Sequence, residues 1–256
     1  MTQLSPSRSE RLDALRAEVR ALESGGAGGH RLRLPFGVDA IERRLEGGGL
    51  AVAALHEMTG ATSGLGDDAA ATLFLAGIAA RQARARPGTT VLWALRRRDL
   101  FAPGLALAGL APNRLLYAEA GSDADILAVM EEGLRHGGLA AVVGEVERAA
   151  MVATRRLQLA AEEGGTPVLL LRRWRKAGED PLAVPSAAMT RWRIACAPSG
   201  DLPVEGIGRP RWRLTLVRQR GGEPFEWIME GTDDQGRLAL PPQPRDRPDQ
   251  TRGLAA

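Results

Sequence analysis

The feature that most constrains this 256-residue chain is an alternation of short apolar runs with helical patterns between residues 50 and 171. The strand-like runs cover 50–58, 91–95, 115–119, 139–146 and 168–171, and the helical patterns cover 68–84, 100–110, 123–135 and 149–163, after a short helix at 38–45. Strands that are apolar on both faces and separated by helices form parallel sheets covered by helices. The sequence therefore predicts an α/β fold with a mainly parallel sheet.

The pattern changes after residue 176, where three strand-like runs (190–197, 210–220 and 225–230) follow one another without helices. This order predicts antiparallel strands at one edge of the sheet. In the first two runs, apolar residues such as Trp192 and Trp212 alternate with arginines such as Arg191 and Arg211. Because side chains alternate between the faces of a strand, we expect one face to be core and the other to be an exposed arginine face.

Both ends of the chain differ from the middle. Residues 1–29 predict a separate N-terminal helix and a glycine-rich linker, with Leu12, Leu15, Val19 and Leu22 on one apolar stripe. This stripe can bind a partner protein or fold back on the core of its own chain, and the sequence leaves both alternatives open. Residues 30–240 predict one domain, and the proline-rich residues 241–256 predict a disordered tail.

Charge is distributed unevenly along the chain, although the net charge is only +3. Residues 172–220 hold eleven basic and four acidic residues, so this segment carries +7 and the rest of the chain −4. Such asymmetry favours an anionic partner, with nucleic acid ahead of a membrane surface, although a solvated basic face is an equal alternative. The candidate phosphate-binding residues are Arg191, Arg193, Arg209, Arg211 and Arg213.

Several classes of protein are excluded by composition. The longest strongly apolar run spans only residues 73–80, short of the ~20 residues that cross a bilayer, and residues 1–10 lack a signal-peptide pattern. A single cysteine, Cys196, and three scattered histidines argue against a disulfide scaffold and a zinc site. We therefore expect a cytoplasmic protein without a cofactor or metal.

The order of elements over residues 36–172, entered through Gly48-Gly49-Leu50, resembles the RecA-like ATPase core. A working P-loop in such a core needs glycines, a lysine that neutralises phosphate and a hydroxyl for magnesium. The corresponding stretch here keeps Gly60, Gly64 and Gly66 but has Asp67 and Asp68 in place of the lysine and the hydroxyl. Two carboxylates repel a triphosphate, whereas at a helix N-terminus they interact favourably with the helix dipole. The sequence therefore predicts a degenerate P-loop.

The other catalytic positions of a RecA-like ATPase are also altered. Leu95 occupies the place of the water-activating glutamate, and Gly144 that of the Walker B carboxylate, with Glu145 one residue late. His56 and Glu57 are neighbours in a strand, so their side chains point to opposite faces and cannot act together. These features predict a RecA-like domain without nucleotide hydrolysis, and the protein is not expected to be an enzyme.

An ordered series of short motifs runs along the chain: Pro35-Phe36-Gly37, Gly48-Gly49-Leu50, Leu55-His56-Glu57, Leu100-Phe101-Ala102-Pro103-Gly104-Leu105, Met130-Glu131-Glu132, Val142-Val143-Gly144-Glu145, Arg155-Arg156-Leu157-Gln158-Leu159-Ala160-Ala161, Thr190-Arg191-Trp192-Arg193 and Gly208-Arg209-Pro210-Arg211-Trp212-Arg213-Leu214. This series is similar to the ImuA family of RecA-like, SulA-like damage-inducible mutagenesis proteins. The resemblance implies an accessory scaffold in SOS-induced translesion synthesis, associated with the nucleoid after DNA damage. It implies as partners ImuB, an inactive Y-family polymerase homologue, and through it an error-prone C-family polymerase, with RecA and DNA as further candidates. The alternative is a SulA-type division inhibitor that binds FtsZ.

Overall fold

The computed structural model of the chain describes residues 32–199 and 208–242, which form a three-layered α/β unit. Its strands are β1 (Arg33–Leu34), β2 (Leu50–Ala51), β3 (Leu55–Gly60), β4 (Thr90–Leu95), β5 (Leu115–Glu119), β6 (Leu139–Val146), β7 (Val168–Arg172), β8 (Thr190–Ala197), β9 (Arg211–Gln219) and β10 (Phe225–Glu230). Its helices are α1 (Asp39–Glu42), α2 (Leu65–Ala85), α3 (Ala102–Leu107), α4 (Asp123–His136) and α5 (Met151–Gly164).

The main sheet has eight strands in the order β10-β9-β8-β3-β7-β6-β4-β5. Neighbouring strands from β8 to β5 are parallel, and β9 and β10 extend the sheet as antiparallel strands. This architecture is that of a RecA-like core and confirms the predicted fold class. The strand predicted over 50–58 is in fact two strands, because β2 pairs with β1 in a separate small sheet, whereas the pairing of β3 with β7 begins at Leu55.

Helices cover both faces of the main sheet and divide the core in two. Helix α2 packs on β8, β3, β7 and β6 on one face, and α4 and α5 pack on the other. Trp192 and Trp212 are buried under α2 with Phe74, and their rings lie 5.7 and 6.5 Å from the Phe74 ring. The prediction that both tryptophans are core residues is confirmed.

Helix α2 forms because residues 69–80 are uncharged and rich in alanine, the best helix former. It begins at Leu65, three residues before the predicted start, because the extended Gly64 serves as its N-cap without a side-chain hydrogen bond. It ends before Arg86, where the following Pro87 disfavours helical backbone. The resulting helix of 21 residues spans about 30 Å.

The predicted N-terminal helix, with Leu12, Leu15, Val19 and Leu22, lies outside the described residues, as does the tail beyond residue 242. The predicted division into 1–29, 30–240 and 241–256 therefore stays a prediction. Within residues 32–199 and 208–242, no helix has the length and apolar character to cross a bilayer.

Candidate functional site

A crevice of about 340 Å³ opens where the parallel strands β4, β6 and β7 end. In open α/β sheets, ligands bind outside these carboxyl ends, so the crevice is the place where a RecA-like ATPase would hold its nucleotide. The residues lining the crevice are all charged: Asp68, Arg96, Arg97, Asp99, Asp123, Glu145, Glu147 and Arg173.

The turn over residues 60–68, which the sequence predicts to be a degenerate P-loop, is held in place by Asp67. Its carboxylate accepts hydrogen bonds from the Thr62 hydroxyl at 2.7 Å and from the Cys196 amide, at the end of β8, at 2.8 Å. A Cβ on Gly60 would lie 2.9 Å from the Asp67 carbonyl carbon, so the strand and the start of α2 approach closely. Asp67 and Asp68 both lie in the first turn of α2, where the helix dipole favours negative charge.

Arg173, which directly follows β7, fills the centre of the crevice. Its guanidinium pairs with the Asp68 carboxylate and with Glu145 Oε2 at 2.8 Å, and it donates a further hydrogen bond to the Thr72 hydroxyl at 3.1 Å. Burial opposes the charge of Arg173, but the carboxylates of Glu145 and Asp68 outweigh that effect and raise its pKa. An internal cation thus lies between the carboxylates of Asp68 and Glu145.

Glu145 is the carboxylate on the crevice side of β6. Its Oε1 accepts a hydrogen bond from the Trp93 indole at 2.7 Å, and burial raises its pKa even though Arg173 faces it. Gly144, one residue earlier, points to the opposite face, where a Cβ would overlap Met130 of α4. The sequence pattern assigns the Walker B position to Gly144. Strand alternation places Glu145, and not residue 144, on the crevice side, so that assignment is wrong by one residue.

Two features of an ATPase site can be compared with the structure: the catalytic glutamate, whose predicted position is occupied by Leu95, and a group of side chains that could bind a metal ion. Leu95 is buried at the end of β4 and has no titratable group. Among the described residues, no group of histidine, cysteine, aspartate or glutamate side chains is arranged to hold a metal ion. The crevice can bind through charge, but its most central cation and carboxylates are already paired with one another.

A second charged cluster is buried beneath β3 and β8. The Glu57 carboxylate, fully buried, accepts hydrogen bonds from Arg172 at 3.0 Å and from Arg191 at 2.7 Å. Arg191 also donates to the backbone carbonyls of Leu182 and Val184, at 2.9 and 3.0 Å. His56 points to the other face, where its ring contacts Thr190, which confirms that His56 and Glu57 cannot act together.

The expectation of an exposed arginine face on β8 is wrong, because the segment after β7 covers it. Arg191 is buried against Glu57, and Arg193 pairs with Asp180 of the covering segment at 2.8 Å. Arg209 pairs with Glu230 at 3.6 Å and donates to the carbonyl oxygens of Gly231 and Arg237.

Two of the five candidate arginines remain accessible on β9. Arg213 is exposed and lies 3.5 Å from the equally exposed Glu226, and Arg211 is half-buried. The guanidinium of Arg211 has no partner among the residues that the structure describes. The ion pairs of Arg191, Arg193 and Arg209 could not be predicted from sequence periodicity, because their partners lie far outside the strand in question. Glu57 and Arg191, for example, are 134 positions apart.

Fold and site together define the class of this protein: a RecA-like α/β core with an internal ion-pair network in the crevice at the carboxyl ends of its strands. Protein ImuA of two Caulobacter vibrioides strains, NA1000 / CB15N and ATCC 19089 / CIP 103742 / CB 15, is in each case 44% identical over 207 residues. The match covers 78% of this chain and 84% of the relative. The chain therefore belongs to the ImuA family, as its motifs predict. No protein-family model matches it.

Proposed function

We propose that this protein is a non-catalytic accessory component of damage-inducible translesion DNA synthesis, which assembles a complex instead of hydrolysing nucleotide. Membership of the ImuA family supports the role in mutagenesis. The observation that carries the non-catalytic part is the position of Arg173, which pairs with Asp68 and Glu145 in the centre of the crevice.

The ion pairs of Arg173 oppose nucleotide binding on energetic grounds. A phosphate placed in the crevice would compete with Asp68 and Glu145 for the Arg173 guanidinium. Glu145 is only 8% exposed at its side chain, so losing its partner leaves a buried carboxylate uncompensated. Breaking a buried pair in this way costs about 3–5 kcal/mol, and although Arg96 and Arg97 also line the crevice, its five carboxylates outnumber its three arginines.

Calorimetric titration of the full chain with ATP and magnesium tests this proposal directly. We expect no saturable heat, whereas an active RecA-like ATPase, used as the positive control, binds under the same conditions. Metal-dependent ATP binding, or phosphate release stimulated by DNA, would overturn the non-catalytic role.

The proposed partners are an inactive Y-family polymerase homologue and, through it, an error-prone C-family polymerase, with RecA as a further candidate and a nucleoid location after damage. Co-purification of the tagged chain with the polymerase homologue is the expected result, and failure of the two purified proteins to associate would contradict it. No contact in the described residues favours the division-inhibitor alternative. Filamentation of cells that overproduce the chain would support that alternative.

Direct DNA contact, if it uses the predicted arginines, depends on Arg211 and Arg213. Each phosphate contact adds about 0.7 to the slope of log affinity against log salt for a single strand, so Arg211→Glu with Arg213→Glu is expected to reduce the slope by roughly 1.4. The control is Arg43→Glu with Arg155→Glu, which changes the same charge at two exposed positions on α1's end and on α5. Equal slopes for wild type and the β9 variant would exclude this face.

A further inference from the structure

An apolar surface on α2 and α3 is left uncovered by the described part of the chain. We call it the α2–α3 face and define it by Leu65, Ala69 and Leu73 of α2 with Phe101 and Leu107. Leu65 is 88% exposed, and Phe101 and Leu107 are each 72% exposed. A Cβ on Gly104 of α3 would lie 3.2 Å from the Phe101 ring and 4.0 Å from Leu73, so the Phe101 and Leu73 side chains lie close together across the two helices.

The same row of α2 is covered further along the helix. Residues four apart lie one above another on a helix, so 65, 69, 73 and 77 form one row. At Gly77 this row packs against Thr232 and Gly236, which follow β10, and a Cβ there would overlap the Thr232 side chain. The covering segment returns to β10 at Ala239, so the N-terminal half of the row stays open. Ala69 is exposed and Leu73 only partly buried, whereas Gly77 of the same row is covered, which indicates that a second apolar segment completes the cover of the row.

The N-terminal segment has the sequence and the reach to cover this face. Its predicted helix presents Leu12, Leu15, Val19 and Leu22 over about 15 Å, and the open row from 65 to 73 is about 12 Å long. The described chain begins at Leu32, whose carbonyl accepts the Val52 amide, and the Pro35 carbonyl accepts a hydrogen bond from Arg81 of α2. Arg81 is about 12–24 Å along the helix from the open row, and the nine residues 23–31 extend to about 30 Å.

We propose that the N-terminal segment 9–23 of this chain docks in cis on the α2–α3 face through its apolar stripe. The stripe would then complete the cover of α2 that the segment after β10 begins. This arrangement resolves the two alternatives left by the sequence in favour of the chain's own core, and it does not depend on the proposed function.

Hydrogen–deuterium exchange of the full chain tests the docking. Leu15→Asp with Val19→Asp is expected to raise exchange in peptides from 65–73 and 100–109 by roughly tenfold or more, with the central strands unchanged. The control is Ala17→Asp with Ala21→Asp, which adds the same charge on the opposite side of the predicted helix and should leave those peptides protected.

A second variant acts from the other side of the contact. Leu107→Glu changes an exposed side chain, so the described fold should tolerate it, and it is expected to raise exchange in residues 9–23. Protection must be the same at low and high micromolar protein, with a monomeric mass by light scattering. Equal exchange in wild type and both variants, or protection that appears only with dimer formation or only on adding the polymerase homologue, would overturn docking in cis.

Discussion

The buried cluster of Glu57, Arg172 and Arg191 gives the strongest stability prediction. The Glu57 side chain is 0% exposed, and its two guanidinium partners are 1% and 8% exposed. Glu57→Gln keeps the shape of the side chain but leaves two buried cations facing a neutral amide. Removing one partner of a buried ion pair costs about 3–5 kcal/mol, a large share of the 5–15 kcal/mol that stabilises a typical domain.

Urea unfolding followed by tryptophan fluorescence measures the effect, because Trp192 of β8 is buried in the core on the other face of the sheet and becomes exposed on unfolding. Glu226→Gln is the matched control: Glu226 pairs with Arg213, but both side chains are about half exposed, at 52% and 53%. Exposed pairs are worth roughly 0–1 kcal/mol, so the control should unfold close to wild type. A loss below about 1 kcal/mol for Glu57→Gln would refute the reasoning, because it would mean that the cluster is reached by water or is offset elsewhere.

Three further predictions concern single positions. Burial, reinforced by the nearby Arg33 charge and opposed by a hydrogen bond to the Ala51 carbonyl, lowers the pKa of His56 from 6.5 to about 4. As the pH falls, the unfolded chain therefore binds a proton at His56 before the folded chain does. Urea unfolding should show a loss of about 2 kcal/mol of stability between pH 7.5 and pH 5 from this residue. The His56→Asn variant should lack this part of the loss. Gly144→Ala would force a Cβ against Met130 and should cost about 1–3 kcal/mol, with partial recovery when Met130→Ala is added; no recovery would mean that the strain lies elsewhere. Burial raises the pKa of Glu145 and the Arg173 cation lowers it, so in Arg173→Met the Glu145 carboxylate should bind a proton more readily. The loss of stability of this variant relative to wild type should then be smaller at pH 5 than at pH 8. An equal loss at both pH values would contradict the pairing.

Sequence patterns predict the layers of this fold well because they report on short-range periodicity. The 115–119 strand has the predicted bounds, and Trp192 and Trp212 lie on the predicted core face because alternation along a strand fixes which side chains share a face. Alternation does not say what covers the other face. Arg191 alternates as expected, but the segment after β7 folds over it and brings it to Glu57, so the exposed arginine face is lost at β8.

The candidate site was only half predictable for the same reason. The loss of the lysine, the hydroxyl and the catalytic glutamate is visible in the sequence at Asp67, Asp68 and Leu95. The compensating residue is not, because Arg173 lies 105 positions from Asp68 and follows an ordinary apolar strand. A signal was available in the topology: an arginine directly after a buried parallel strand must lie at the carboxyl edge of the sheet, beside other residues that follow such strands.

The position of Arg173 follows from the charge balance of the crevice. Asp68 and Glu145 converge at the end of the sheet because α2 and β6 place them there, and Glu145 is too buried for water to compensate its charge. In an ATPase, a bound magnesium ion and a lysine balance such carboxylates. A chain that has lost the lysine must either lose the carboxylates or provide another cation from within. Here the end of β7 provides it, because Arg173 pairs with both carboxylates from within the chain, as the proposed non-catalytic role requires.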